Sequence, residues 1–261
     1  MDTERPLKGK IACVTGASHG LGAAIARKLW QRGASLIVSA RGHAQSDALG
    51  KMVENLPVAI DSAQRVYSFY ADLSLHSGRV KLADEIEFRG IDILVNNAAV
   101  QGPVGLFTDN DVMEWEDTIR VNFLAPVMLM RAALPYMKKK QWGRIINISG
   151  GGAANARVEY TAYASSKAAL VRFSECLAGE IARDWITVNC IAPGYLGPMG
   201  QNREECMEER EAVELCAYLA SGASEGVTGC LISAPWDNWR GEGFLSQSKD
   251  VNMFKLRRVA P

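Results

Sequence analysis

The chain has 261 residues, 48% hydrophobic and 22% charged, with Lys+Arg and Asp+Glu both at 29. A formal charge of zero excludes a global field that would gather nucleic acid or an anionic membrane, leaving only a local patch as a route to either. The length and balance fit a globular protein of one large α/β domain or two small ones. Cysteines at 13, 176, 190, 206, 216 and 230 form no CxxC pair, and the histidines at 19, 43 and 76 lie far from them in sequence. Neither a zinc site nor a disulfide framework is expected. The opening "MDTERPLKGK" lacks the apolar run of a signal peptide, and no window reaches transmembrane length, so the expected location is the cytoplasm.

The first predicted strand, "KIACVT", runs into the turn "TGASHGLG" at 15–22 and then a helix over 21–32. Strand, tight turn and helix N-terminus together make an anion site, with backbone N–H groups and the positive dipole end aimed at a phosphate. Gly16, Gly20 and Gly22 allow a sharp turn and close approach to a pyrophosphate, although glycines also serve purely conformational ends there. The strand "SLIVSA" follows and ends beside Arg41. A helix at about 45–55, the strand "RVYSFYA", a helix over 77–88 and the strand "IDILVNN" come next. The helical stretch 111–140 ends on Lys138–Lys140, which complements the negative end of the helix dipole.

"GRIINIS" then leads through glycines into a helix over 160–184, where Tyr163 and Lys167 stand one turn apart on one face. On spacing alone that pair is ordinary helix packing. "ITVNCIA", a helix over 204–221 and "GCLISA" complete the alternation. Cys13 and Cys190 lie in apolar runs and read as small core residues. Several strands are apolar almost throughout, which suits parallel strands covered on both faces. Repeated right-handed strand–helix–strand units then give a doubly wound sheet of about seven parallel strands with helices on both faces. With no linker or repeat, residues 1–261 read as one domain.

The turn spacing is TGxxxGxG, and "ADL" at 71–73, "NNAA" at 96–99, Asn122, "ISGG" at 148–151, "YASSK" at 163–167 and "APG" at 192–194 follow in order. On these motifs the chain resembles the short-chain dehydrogenase/reductase family in its classical form, over roughly residues 7 to 234. The resemblance implies a Rossmann-like fold and hydride transfer between a nicotinamide and a carbonyl or secondary-alcohol carbon. It places Gly16, Ser18, His19, Gly20, Leu21 and Gly22 around the phosphates, Asp72 and Leu73 beside the adenine, and Asn97, Ala98 and Ala99 along the adenosine ribose. Pro193 and Gly194 would lie beside the nicotinamide. By the same alignment Ala40 takes the position where an acidic residue selects NAD. Arg41 follows it, and His19 stands where NADP-using relatives often carry arginine. NADP(H) is therefore the preferred cofactor and NAD(H) the second.

The resemblance makes Tyr163 the general acid/base. A free phenol titrates near ~10, too high for a neutral-pH base, and a close ammonium plus an oxidised nicotinamide favour its anion. Lys167 would supply that ammonium and bond the nicotinamide ribose. Asn122 would hold a water linking Lys167 to solvent, and Ser149 would donate to the substrate oxygen. Two positions depart from the pattern. The usual serine, thirteen residues before the tyrosine, is Gly150 here; the extra glycine is expected to let the loop bulge and bring Ser149 into place, the alternative being a site that lacks its serine and works less well. Pro198 stands where many relatives carry a cofactor-binding threonine.

Substrate choice belongs to loops above the sheet, here a short flap at about 195–204. The segment 235–261 is an atypical C-terminal extension. Its Trp236 and Trp239 either stack on a ring in the cleft or pack a subunit contact, and its end either reaches a neighbouring subunit or frays. Met128, Met130, Leu134 and Phe173 exceed what one sheet face needs, and relatives pair these helices, so a homodimer or homotetramer is expected. The alternatives to a small-molecule carbonyl/alcohol enzyme are a 3-oxoacyl thioester (acyl-carrier) reductase and a non-catalytic dinucleotide-binding regulatory protein.

Overall fold

A computed structural model describes residues 5–42, 46–197, 207–250 and 253–256. Short β-branched and aliphatic runs become the strands β1 (Ile11–Thr15), β2 (Ser35–Ala40), β3 (Val66–Tyr70), β4 (Ile93–Asn96), β5 (Gly143–Ile148), β6 (Ile186–Ala192) and β7 (Leu231–Ser233). They form one seven-stranded sheet in the order β3-β2-β1-β4-β5-β6-β7, parallel throughout. The doubly wound architecture expected from the alternation is thus observed. Side chains alternate across each strand, so the sheet carries a core on each face. Ala12, Val14, Leu36 and Val38 face one way; Cys13, Ile37, Leu94, Ile145 and Val188 face the other. Cys13 and Cys190 are fully buried, and burial pushes both thiols up to about 12.

The helices are α1 (Gly20–Gln31), α2 (Ser46–Glu54), α3 (His76–Arg89), α4 (Val112–Ile119), α5 (Ala125–Lys140), α6 (Thr161–Glu180), α7 (Met207–Leu219) and the short α8 (Phe244–Gln247). The single helix expected over 111–140 is interrupted by a π turn, Arg120–Leu124. An α-helical register would need from residue 126 an N–H that Pro126 lacks, and the chain widens there instead. None of the helices among the described residues is long and apolar enough to cross a membrane.

β1 pairs with β2 on one side and β4 on the other, so the chain reverses its winding there. A crevice opens beyond the carboxyl ends of those two strands, where open parallel sheets bind ligands. At the far edge, the tail folds back over β7. Phe254 O accepts a hydrogen bond from Leu231 N at 2.7 Å, and Arg172 donates to Leu256 O at 2.6 Å. Leu256 N donates to Glu175 Oε1 at 3.0 Å, and the Lys255 ammonium caps Thr228 O and Gly229 O. Residues 253–256 therefore neither fray nor extend away. Pro198, most of the flap and the last five residues lie outside the described residues.

Candidate active site

The crevice is a cleft of about 770 Å³. Every residue assigned above to cofactor binding, from Gly16 to Gly194, lines it. The glycine turn is built tightly: Gly16 and Gly20 have φ of 64° and 54°, values that disfavour any side chain. A methyl on Gly22 would stand 2.2 Å from Gly16 O and 2.4 Å from Asn97 Nδ2. That amide donates to Thr15 O and Gly16 O at 2.9 and 3.1 Å, while Thr15 Oγ1 accepts from Asn97 N and Ala98 N at 3.0 and 2.9 Å. The turn after β1 and the chain after β4 thus hold each other, and Asn97 serves the turn through its side chain.

A Cβ on Gly20 would meet nothing within 4 Å, and the side chain of His19, the N-cap residue of α1, caps no backbone N–H. The helix N-terminus is open toward the cleft, so the turn fits a dinucleotide pyrophosphate. Arg41, exposed, lines the cleft at the end of β2. Asp72 spends its carboxylate on Ser74 N and Oγ at 2.9 and 2.8 Å, shaping the turn into α3.

Tyr163 and Lys167 sit together in the first two turns of α6, 8% and 2% exposed. Lys167 Nζ donates to Ile148 O at 2.7 Å and lies 5.7 Å from the Tyr163 ring centroid. Burial lowers the lysine's pKa to about 8. Burial also raises the Tyr163 phenol above its usual value, with Arg157 the cation that opposes the rise. The expected acidification calls on the charge of an oxidised nicotinamide as well as on the lysine. Desolvation of the ring dominates, and the ammonium is engaged at the end of β5.

Asn122 is buried in the π turn, and its side chain does not line the cleft. Oδ1 accepts from Val100 N at 2.9 Å, and Nδ2 donates to Val100 O at 2.8 Å and Ser166 Oγ at 3.1 Å. It fastens the chain beyond β4 to α6, under the reacting pair.

Ser149 lines the cleft as well. Its hydroxyl is buried and hydrogen-bonds no protein group, Tyr163 included. The position facing the phenol belongs to Gly150, where a Cβ would stand 3.0 Å from Tyr163 Oη. Gly150 is extended, with φ of 178°, and Ser149 beside it lines the same cleft without bonding the phenol. A Ser149→Ala variant is expected to keep kcat within about fivefold, well below the ~100-fold or more of a proton-handling group. A loss of that larger size would return Ser149 to the reacting set.

Sequence reasoning missed Arg157 and Tyr160, which also line the cleft. The available signal was that Arg157 is the one basic residue between Arg144 and Lys167. The tryptophans separate. Trp239 is core, its Nε1 donating to Ala234 O at 3.1 Å and its ring 5.9 Å from that of Tyr218, whereas Trp236 is 77% exposed. Neither lines the large cleft. Met130 is also core, at 1% exposure, so intramolecular packing accounts for it.

Residues 10–208 match the family described as short chain dehydrogenase. D-beta-hydroxybutyrate dehydrogenase of Cupriavidus necator is 35% identical over 211 residues, covering 79% of either chain. A 3-oxoacyl-[acyl-carrier-protein] reductase of Aquifex aeolicus is 31% identical over 193 residues, covering 74% of this chain and 76% of that protein. Among solved structures, a metagenomic short-chain oxidoreductase in complex with NADP is 32% identical with a TM-score of 0.69, covering 82% of this chain and 91% of its own. With the family matched over most of its length, the chain belongs to the short-chain dehydrogenase/reductase family and is an oxidoreductase acting on CH–OH and C=O groups.

Proposed function

We propose that the protein is an NADP(H)-dependent oxidoreductase that interconverts a carbonyl and a secondary alcohol on a small molecule, within one dinucleotide-binding and catalytic domain. The observation that carries this reading is a single cleft lined by the glycine turn, Arg41 and the Tyr163–Lys167 pair. The bound dinucleotide supplies or accepts the hydride. Tyr163 gives its phenolic proton to the carbonyl oxygen as the carbon is reduced, and takes it back in the other direction. Its raised pKa keeps the proton on the ring at neutral pH, which suits reduction. Lys167 spends one of three N–H donors on Ile148 O, leaving two for the cofactor ribose. Asn122 is a positioning residue, holding the main chain at Val100 against α6.

Arg41 at the end of β2, with no acidic residue in the strand or directly after it, supports a 2′-phosphate rather than a free ribose hydroxyl. Arg41→Ala is expected to raise the KM for NADPH about tenfold or more while leaving that for NADH nearly level, the loss of one charge-assisted contact. Equal changes in both would reject the assignment. The activity itself is tested by a panel of ketones, sugar lactones, alcohols and acyl thioesters followed at the nicotinamide absorbance with each cofactor. Strong preference for 3-oxoacyl thioesters would support the second reading, which rests on the 31% identical Aquifex relative. Cofactor binding without turnover of any member would favour a regulatory protein. The partly buried Met128, Leu134 and Phe173, beside the exposed Leu124, support a homo-oligomer formed through α5 and α6.

A further inference from the structure

The loop between β5 and α6 brings a cation to the reacting end. Tyr160 N donates to Arg157 O at 3.2 Å, closing a turn whose third residue, Glu159, has φ of 67°. A left-handed glutamate is a costly choice for a turn, and strain of this kind collects at functional sites. Glu159 O accepts from Gly105 N at 3.0 Å, which ties the turn to the chain beyond β4. The turn stacks the Arg157 guanidinium 3.7 Å from the centroid of the Tyr160 ring, and both residues line the cleft. Tyr160 is three residues before Tyr163, and the guanidinium charge is felt by the Tyr163 phenol.

Among the described residues nothing neutralises this charge within the site. Among the described residues, no carboxylate bonds Arg157, and the one carboxylate lining the cleft, Asp72, is held by Ser74. Stacking occupies the face of a guanidinium and leaves its in-plane N–H fork free, the geometry that grips a planar carboxylate with two parallel bonds. A phosphate dianion would call for a second cation. The other ammonium near Tyr163, that of Lys167, is directed at Ile148 O.

Resting on the carbonyl-reducing reading above, we propose that the substrate is an oxo acid, its carbonyl at Tyr163 and its carboxylate on Arg157 braced by Tyr160. The test uses the protein with NADPH and short 2-oxo, 3-oxo and 4-oxo acids, each beside its methyl ester, with cyclohexanone and hydroxyacetone phosphate as further arms. At least one acid should exceed its ester tenfold or more in kcat/KM. Arg157→Ala should lower kcat/KM for that acid by about 10- to 100-fold, chiefly through KM, and bring the acid-to-ester ratio toward one. Arg157→Lys should restore part of the loss. If acid and ester fall together while the alkaline limb of the rate moves, Arg157 acts on the phenol and the proposal is overturned. Preference for the phosphate, or turnover of neutral ketones with no acid preference, overturns it while leaving the carbonyl-reducing reading intact. If no carbonyl reacts, that reading fails, and succinate binding to the NADPH complex by calorimetry decides the anion site. Binding weakened tenfold or more in Arg157→Ala supports it; no binding to the unaltered protein sinks it.

Discussion

Tyr163→Phe is expected to lower kcat by about 1,000-fold, within the ~10²–10⁴ range of a positioned proton donor. The cofactor KM should stay within about twofold, because the lost atom is the phenolic oxygen alone. The ring fills a buried position in the first turn of α6, and the substitution keeps it there. Thermal stability should therefore barely move. Gly150, the residue facing Tyr163 Oη, has no side chain to take over. Steady-state kinetics of the variant beside a cofactor titration check both halves. A variant retaining a tenth of the activity would remove Tyr163 from the chemistry.

Lys167→Met should separate activity from stability. Turnover is expected to fall at least about 100-fold, the lower bound for losing a group that supports proton transfer. The fold should gain. Burial holds the lysine's pKa at about 8 against an ordinary 10.5, a cost of roughly 3 kcal/mol at 1.36 kcal/mol per pKa unit. Leaving Ile148 O without its donor returns about 1–3 kcal/mol of that. The net gain, on the order of 1 kcal/mol, corresponds to a Tm rise of about 2–4 °C for a chain this long. The pH dependence has a definite sign. Between about 8 and 10.5 the unfolded chain holds a proton on this amine that the folded chain does not, so the lysine's contribution to stability rises with pH there. The Tm advantage of the methionine variant should be full below pH 8 and shrink through that window. A variant less stable than the parent at pH 7 would contradict the assignment of a costly buried charge.

Much of this arrangement was readable from residues alone, and the parts that were not share a cause. Strand runs such as "SLIVSA" and "ITVNCIA" declare themselves because their burial on both faces follows from local pattern. The turn at Gly16–Gly22 is equally local, a matter of φ and of space for a phosphate. The break at Arg120–Leu124 escaped although Pro126 stands midway along the 111–140 stretch, because residue type alone does not say whether a proline there kinks, widens or ends a helix. Only the contact of Asn122 with Val100, distant in sequence, ties that irregular turn to the site. At Ser149 and Gly150 one residue of extended chain decides which position faces the Tyr163 oxygen, and sequence does not say that it is Gly150. Trp239 and Arg157 needed the rings of Tyr218 and Tyr160 as neighbours before their roles could be told apart. The phenol's acidity depended on how much water the folded protein excludes, which charge spacing cannot convey.

The clasp of residues 253–256 over β7 bears on how this molecule meets others. A sheet margin left bare offers its amide and carbonyl row to any extended chain that arrives. Here the Leu231 amide of that row is already taken by Phe254 O, and Arg172, Glu175 and Lys255 rivet the clasp down. A second molecule seeking to extend the sheet at Leu231 would first have to displace Phe254 from that amide.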